Sequence, residues 1–389
     1  MGTMDELISP TVVAQLRAAL MATVTSTDFP RLAEAETSVQ GERLRQRVDL
    51  VRDALLSDAP AGFSAAERLV AGVIDEPGFA GWMIWPVTEF VARRALESGS
   101  AADFDDAMTL LSRLTAGLSG EFAIRDLLNA RPERALKIME TWASHDDEHV
   151  RRLATEGSRA YLPWAKRVPW LLTHPRATQR IIDATYRDPS EYVRRSTANH
   201  LNDLSRVDAK LVAEIAAGWA AAADATTPWV LRHGLRTLIK QADPAALALA
   251  GFTGTTLRVT QPRIAATQVP WGGALHFDAV ITNDAETDAT VAVDYTVGFR
   301  RSNGSISEKT FRLGSRQIPA GDSAIVTKTH SFRPITTRTY YPGQHHITVQ
   351  ANGVLSPRTE FVLTHTDTAD PVGTNIAAPD DRSEKRDES

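Results

Sequence analysis

The sequence contains no cysteine among its 389 residues. This absence excludes disulfide bonds, metal sites built on thiolates and catalysis by a cysteine nucleophile. A chain without thiols is compatible with a reducing compartment. With 43% hydrophobic residues the chain can bury a sizeable core, and its length predicts two domains.

Long hydrophobic runs are also missing. No apolar stretch approaches the roughly 20 residues that a membrane-spanning helix requires. The N-terminal residues MGTMDELISPTVVAQL lack the basic stretch and apolar core of a signal peptide. We therefore expect a soluble, cytoplasmic protein that does not contact a membrane.

The motifs of common metal and cofactor enzymes are absent as well. The sequence contains no HExxH zinc motif, no Walker phosphate-binding loop, no dinucleotide-binding fingerprint and no GxSxG nucleophile elbow. No lysine stands out as a Schiff-base nucleophile. We therefore expect neither a metal ion nor an organic cofactor.

Charge is unevenly distributed along a chain whose net charge is -5. Residues 255–364 hold eleven Lys and Arg against eight acidic residues, whereas residues 365–389 hold seven acids against three bases. The first 254 residues carry -4. Net charge therefore decides little about a nucleic-acid partner, and the placement of individual arginines matters more.

Two regions of different character precede a polar tail. Residues 1–252 are rich in Ala, Leu and Arg with helix caps at short intervals, and residues 255–364 contain short alternating strands separated by Gly, Asn, Asp or Pro. The predicted fold is mainly α: a HEAT-like repeat α-solenoid followed by an all-β immunoglobulin-like sandwich. The acidic tail, 365–389, is predicted to be disordered.

A unit of about 40 residues recurs in the helical region. Its copies are RALKIMETWASHDDEHVRRLATEG, RATQRIIDATYRDPSEYVRRSTANHL and LVAEIAAGWAAAADATTPWVLRHGLRTLIK. Val150, Val193 and Val230 align, and so do Arg152, Arg195 and Arg232. Each copy predicts a pair of helices, and stacked pairs predict a curved surface with a groove.

Helical periodicity divides the second helix of each copy into two faces. We expect one face to be buried, holding Val150, Leu153, Ala154, Gly157, Val193, Ser196, Thr197, Leu204, Val230, Gly234 and Thr237. We expect the other face to point outward, holding His149, Arg152, Glu156, Arg159, Arg195, Asn199, Asn202, Asp203, Arg232, Arg236 and Lys240. The outward face would then be lined with arginines, carboxylates and amides.

The arginines on this face have two interpretations. They either join neighbouring repeats through Asp146, Asp147 and Asp188, or they contact DNA phosphates. The predicted DNA-binding residues are Arg152, Arg159, Arg195, Asn199, Arg232, Arg236 and Lys240.

Glu156 and Asp203 share the predicted outward face with the arginines, where a DNA phosphate would repel a carboxylate. They are either ordinary surface carboxylates or groups that stabilise positive charge developing on a sugar. Trp164, predicted on a loop near the Glu156 helix, is either a core residue or an aromatic platform for a cationic base. His200 is predicted to be a core histidine.

Four strings carry a resemblance to a known family. They are EFAIRDLL (121–128), HVRRLATEGSRAYLPWA (149–165), YVRRSTANHLNDL (192–204) and LRHGLRTLIKQADPAALALAGF (231–252). In this order they resemble the bacterial DNA alkylation repair glycosylases of the AlkC type, HEAT-like relatives of AlkD, some of which carry a C-terminal immunoglobulin-like domain. The segment SRAYLPW departs from the family pattern, which has a proline and an arginine at the positions of Ala160 and Tyr161.

The resemblance implies excision of 3-methyladenine and 3-methylcytosine from double-stranded DNA, leaving an abasic site. It implies catalytic roles for Glu121, Glu156 and Asp203 around the lesion, with Trp164 against it, and backbone contacts by Arg152 and Arg195. It also implies a bacterial protein that is associated with the nucleoid when bound to DNA, and we expect a monomer.

Alternatives remain at this level. A non-catalytic HEAT-repeat protein could bind alkylated DNA and recruit other proteins, and a purely protein-binding solenoid would not bind DNA at all. The sandwich is either a protein-binding module or a clamp that brings its own cations to DNA. Those cations are Arg300, Arg301, Lys309, Arg312 and Arg316.

Overall fold

A computed structural model describes residues 4–23, 28–254, 256–335 and 338–364. The chain divides into two compact units, Met1–Thr255 with Ala289–Ala292, and Thr256–Asp288 with Val293–Ser389. The predicted disordered tail, 365–389, lies outside the described residues. Within the described part, no helix is both long and apolar enough to cross a membrane.

The described residues of the first unit form sixteen α-helices. They are α1 (Pro10–Thr23), α2 (Pro30–Ser38), α3 (Leu44–Asp58), α4 (Phe63–Val73), α5 (Ile84–Ser98), α6 (Ala101–Leu114), α7 (Ile124–Ala130), α8 (Pro132–Trp142), α9 (Glu148–Gly157), α10 (Pro169–Thr173), α11 (Gln179–Thr185), α12 (Glu191–Leu204), α13 (Ala209–Ala221), α14 (Thr227–Gly234), α15 (Arg236–Lys240) and α16 (Pro244–Leu249). Short 3-10 helices span Met4–Leu7, Gly81–Met83 and Pro175–Thr178.

The three predicted repeats are the pairs α8/α9, α11/α12 and α13/α14. Local sequence explains where these helices begin: Pro132 occupies the first turn of α8, and the side chains of Asp147 and Asp208 accept backbone N–H groups at the starts of α9 and α13. The second helices stack in order, with α9 on α12 and α12 on α14. The predicted helical repeat domain is confirmed.

Two glycines mark close approaches between helices, of α9 to α7 and of α14 to α12. A Cβ atom on Gly157 would lie 2.7 Å from Cγ2 of Ile124, and one on Gly234 would lie 2.9 Å from Cδ2 of Leu201. The aligned Val150, Val193 and Val230 are all buried. Most of the predicted inward face is therefore buried, and only Thr237 is half-buried.

The residues of the second region that the structure describes form ten strands. They are β1 (Leu257–Val259), β2 (Arg263–Ile264), β3 (Gln268–Pro270), β4 (Ala274–Asn283), β5 (Ala289–Arg300), β6 (Ile306–Ile318), β7 (Ser323–Ser331), β8 (Gly343–Ala351), β9 (Val354–Leu355) and β10 (Thr359–Thr364).

The strands make two sheets. In the first, β1, β2 and β7 pair with β4; the second has the order β3-β10-β8-β5-β6, with β9 on β8. Strand β4 pairs antiparallel with β1, β2 and β7, and β8 pairs antiparallel with β5, β9 and β10, whereas β3 and β10 are parallel. Phe277 on β4 and Tyr295 on β5 meet between the sheets, with ring centroids 5.2 Å apart. The predicted all-β sandwich is confirmed.

Candidate active site

Glu156 lies in the last turn of α9, where that helix packs on α12. Its carboxylate accepts a hydrogen bond from Arg159 Nη1 at 2.6 Å and from the Ser196 hydroxyl at 2.6 Å. Arg152 Nη2 lies 3.6 Å from the same Oε1 atom that Arg159 contacts. Glu156 is only 6% exposed, so the anion is held inside the helical layer by two guanidinium groups and a hydroxyl.

Asp203 lies near the end of α12 and faces the same arginine. Arg159 Nε donates to its Oδ2 atom at 2.8 Å. Arg159 therefore bridges Glu156 and Asp203, and all three side chains are buried. The bridge fixes two carboxylates from different repeats at one place.

Glu121 joins this group from the turn before α7. Its carboxylate pairs with Arg152 and accepts a hydrogen bond from the Ser119 hydroxyl at 2.9 Å. Arg152 in turn lies 5.3 Å from the ring centroid of Tyr192. Through Arg152 and Arg159, the structure brings the three predicted carboxylates, Glu121, Glu156 and Asp203, into one network.

The two buried carboxylates differ in acidity. Burial on its own raises the pKa of Glu156, but the charges of Arg152 and Arg159 and the Ser196 hydrogen bond outweigh it, so the pKa falls below its usual value. For Asp203 burial wins over the opposing effect of Arg159, and its pKa is raised. Glu156 is thus the firmly ionised group and Asp203 the more basic one.

A pocket of about 320 Å³ opens beside Glu156. It is lined by Trp82, Leu118, Ser119, Glu121, Phe122, Arg152, Glu156, Leu162, Pro163, Trp164 and Tyr192. Trp164 is 70% exposed and has a positive φ of 61°, which points to a loop shaped for something other than core packing. The prediction that it lies on a loop is confirmed, and the core interpretation is wrong.

Two buried residues, His200 and Arg125, hydrogen-bond to backbone carbonyl groups close to Glu156 and Arg159. His200 is fully buried; its Nδ1 lies 2.9 Å from the Thr155 carbonyl oxygen and its Nε2 lies 3.0 Å from the Thr178 hydroxyl. Burial lowers its pKa to about 4, so the ring is neutral. It is the core histidine that the helical periodicity predicts.

Arg125 on α7 is the second supporting residue. Its guanidinium donates to the carbonyl oxygens of Lys166, Gly157 and Arg159 at 2.9, 2.9 and 2.6 Å. It therefore holds the end of α9 and the loop that carries Arg159. Sequence reasoning missed Arg125, Ser119, Ser196 and Tyr192; an arginine within the apolar run AIRDLL was the available signal.

The predicted DNA-binding residues fall into separate groups. Arg152 and Arg159 are engaged with the carboxylates, whereas Arg195 is exposed and pairs with Glu191. Arg232 is exposed, and Lys240 is half-buried.

Asn199 and Arg236 form a further cluster. The Asn199 Oδ1 atom lies 3.0 Å from Nη2 of Arg236 and 3.0 Å from Nε2 of His233, whose ring stacks on Trp229. The Asn199 amide is thereby oriented by two neighbours on the next repeat.

The expectation that this face points outward is wrong for four of its residues. Glu156, Arg159, Asn202 and Asp203 are buried, because α12 covers α9 and α14 covers α12 where an isolated helix would be open to solvent. The repeat-joining contact also belongs to a different arginine: Arg151, not Arg152, donates to Asp188.

The five sandwich cations that the sequence suggests as DNA contacts lie on β6 and at the end of β5. Lys309, Arg312 and Arg316 are on β6, Arg300 ends β5 and Arg301 follows it. Arg312 Nη1 lies 3.4 Å from Asp294, and Lys309 Nζ lies 5.6 Å from the ring centroid of Phe311. Their contact with DNA stays a prediction.

Histidine spacing gives no metal centre. His145 and His149 are four residues apart, but His145 Nδ1 accepts the Asp147 N–H and His149 packs edge-on against Tyr192. Over the described ranges, no group of three or more His, Asp or Glu is arranged to hold a metal ion.

Comparison with known proteins supports one family. Residues 119–238 match the family model described as DNA alkylation repair enzyme, and residues 258–365 match that of the C-terminal Ig-like domain of the uncharacterised protein YhaZ. YhaZ of Bacillus subtilis strain 168 is 32% identical over 267 residues, which are 68% of this chain and 74% of that protein.

A solved structure agrees with the sequence matches. Pseudomonas fluorescens alkylpurine DNA glycosylase AlkC, bound to DNA containing an abasic site analog, is 28% identical and superposes with a TM-score of 0.80. The match covers 93% of this chain and all of that one. The chain belongs to the DNA alkylation repair enzyme family, in the AlkC-like group whose helical repeats are followed by an immunoglobulin-like domain.

Proposed function

We propose that this protein is a monofunctional DNA glycosylase that removes cationic N3-methylated bases, 3-methyladenine and 3-methylcytosine, and leaves an abasic site. The observation that carries the proposal is the pair of buried carboxylates, Glu156 and Asp203, joined by Arg159 and shifted in opposite directions in pKa. Carboxylate pairs with separated acidities suit hydrolysis through a cationic sugar.

The chemistry needs no acid for the leaving group. Methylation at N3 already places a positive charge on the base, so the C1′–N bond breaks with its electron pair going to the base, which departs neutral. The sugar becomes an oxocarbenium-like cation. A fixed anion beside it stabilises the transition state, and the ionised Glu156 supplies that anion in a buried setting.

Asp203 suits the second half of the reaction. Water attacks C1′ through its oxygen atom and loses a proton, and the carboxylate with the raised pKa accepts that proton. Glu121 adds negative charge at the pocket, and the exposed Trp164 ring offers a face to the cationic base. We also propose that five further residues contact the DNA backbone, namely Arg195, Asn199, Arg232, Arg236 and Lys240. The protein is proposed to act as a monomer.

Base release tests the proposal. The full chain is incubated with duplex DNA treated with a methylating agent, and the free bases are identified by mass spectrometry. We expect 3-methyladenine and 3-methylcytosine, with release slowed by about 10² or more in Glu156→Gln. Glu140→Gln, which alters a carboxylate on α8 outside the network, is the matched control and should not change the rate.

Two other outcomes decide against it. Tight binding to the methylated duplex without release of any base would make the protein a non-catalytic reader of alkylated DNA. A Glu156→Gln variant as fast as the unmodified protein would remove the assigned role of that carboxylate.

The pH dependence of excision tests the role of Asp203 separately. The ionised form of Asp203 is required, so the single-turnover rate falls as the pH drops through its pKa. Because burial raises that pKa, the acid limb should lie above that of a free aspartate, and Asp203→Asn should be slow at every pH. An acid limb at or below the free-aspartate value would contradict the assignment.

A further inference from the structure

Uncompensated positive charge lies next to Asp203. Arg167, Arg206 and Arg236 have no carboxylate within ion-pair distance among the described residues, whereas other surface arginines such as Arg176 do. Arg206 acts electrostatically on both Asp203 and Arg236, which places the three charges in one neighbourhood. The site therefore carries more cations than its own acids neutralise.

An aromatic ring organises two of these arginines. The Cζ atom of Arg167 lies 4.7 Å, and that of Arg206 lies 5.2 Å, from the ring centroid of Tyr161. Tyr161 is half-buried between the buried Ala160 and Leu162, whereas Arg167 and Arg206 are exposed residues. Two flexible side chains are thus held close to one aromatic ring.

This geometry leaves the arginines ready for a ligand. A guanidinium that contacts a ring through its planar face keeps its N–H donors, which point outward in the plane. An arginine that has no carboxylate partner keeps its N–H donors available in one plane. Two of these donors can bind two oxygen atoms of a phosphate through parallel hydrogen bonds. Arg206 also lies three residues beyond Asp203, in the turn that follows α12.

We propose that Arg167 and Arg206, held against Tyr161, form a clamp for a DNA backbone phosphate beside the lesion nucleotide. The clamp rests on the proposed function, since it is a subsite of the same DNA surface. It anchors one strand next to Asp203, so that the sugar is presented to the carboxylates. It also supplies local positive charge in a helical region whose first 254 residues carry a net charge of -4.

Salt-dependent binding tests the clamp. Binding of the full chain to a labelled duplex with one tetrahydrofuran abasic analogue is followed by fluorescence anisotropy over a series of salt concentrations. We expect Arg206→Gln and Arg167→Gln each to weaken binding by roughly 10-fold and to reduce the slope of log K against log salt by about one. The control is Arg176→Gln, because Arg176 is an exposed arginine whose Nη2 atom lies 2.7 Å from Glu214. This variant should leave the affinity and the salt slope unchanged.

The platform is tested by the aromatic ring. Tyr161→Phe keeps the ring and should bind like the unmodified protein, whereas Tyr161→Leu should weaken binding by about threefold. In the Tyr161→Leu background, Arg206→Gln should cost less than it does alone, because its pre-positioning is already lost.

The outcomes separate the two proposals. No binding of the unmodified protein to this duplex would overturn the proposed function itself. Binding by the unmodified protein, with Arg167→Gln and Arg206→Gln unchanged in affinity and slope, would overturn only the clamp. Equal losses in Arg176→Gln would also overturn it, because they would reflect general charge and not a site.

Discussion

Helices α9 and α12 open with the same Val-Arg-Arg motif, and the two copies use its first arginine in the same way. Arg151 donates to the carbonyl oxygens of residues 145 and 146, and Arg194 donates to those of residues 188 and 189. In each copy these acceptors lie six and five residues before the arginine, in the turn that precedes the helix. The first arginine is therefore part of the repeat framework.

The copies diverge from the second arginine onward. Arg152 pairs with Glu121 and Glu156 inside the layer, whereas Arg195 is exposed and pairs with Glu191. The position that holds Glu156 in α9 holds Asn199 in α12. Both repeats keep the framework contacts and only the α9 copy adds a buried anion at that position, so under the proposed function a small change in one repeat gives the scaffold its chemical site.

Removing the shared arginine of α9 should have the largest effect on stability. Arg151 contacts Asp188 at 2.6 and 3.0 Å, and Asp188 is buried. Arg151→Ala leaves that carboxylate without its cation, so we expect the free energy of unfolding to fall by about 3 kcal/mol. Urea unfolding followed by tryptophan fluorescence measures this, and a loss below about 1 kcal/mol would remove Arg151 from the framework.

His200, which lies on α12 and contacts the α9 backbone at Thr155, should make the free energy of unfolding depend on pH. His200 has a folded pKa of about 4 against an unperturbed 6.5, so its contribution is fully present above pH 6.5 and is lost as the pH falls towards 4. Between about pH 7.5 and about pH 5 we expect a loss of about 2 kcal/mol from this group. His200→Gln, which cannot titrate, should lose correspondingly less; equal losses in both proteins would contradict the assignment.

The second arginine of α12 should matter least to stability. The side chains of Arg195 and Glu191 are 60% and 59% exposed, so solvent screens their ion pair. Arg195→Ala should change the free energy of unfolding by less than about 0.5 kcal/mol in the same urea experiment. A loss comparable to that of Arg151→Ala would erase the distinction between framework and surface arginines.

Much of the fold follows from local sequence. Spacing of Val150, Val193 and Val230 predicts the repeat layer, and alternating strands predict the sandwich, because burial patterns repeat with the period of each element. His200 is predicted correctly for the same reason. Helix periodicity raises a charge-stabilising role for Glu156 and Asp203 as one of two interpretations, and the resemblance to a known family assigns catalytic roles to these two residues and to Glu121.

Periodicity fails where two helices share polar residues. A single helix projection places Glu156 and Asp203 on an open face, because it contains no information about the partner helix that covers them. Arg159 has the same ambiguity: its sequence position suits phosphate, and only the packing of α9 on α12 reveals the bridge between the carboxylates. Arg125 escapes notice because a fully buried arginine is rare and its acceptors are backbone carbonyl groups.

The most direct test of the central claim exchanges the residue that distinguishes the two copies. Glu156→Asn gives α9 the residue found at the matching position of α12, and the single-turnover rate of 3-methyladenine release is measured on methylated duplex DNA. We predict a loss of about 10² or more, with the protein still folded and bound to DNA. A rate equal to that of the unmodified protein would contradict the claim that the buried anion of α9 drives the reaction.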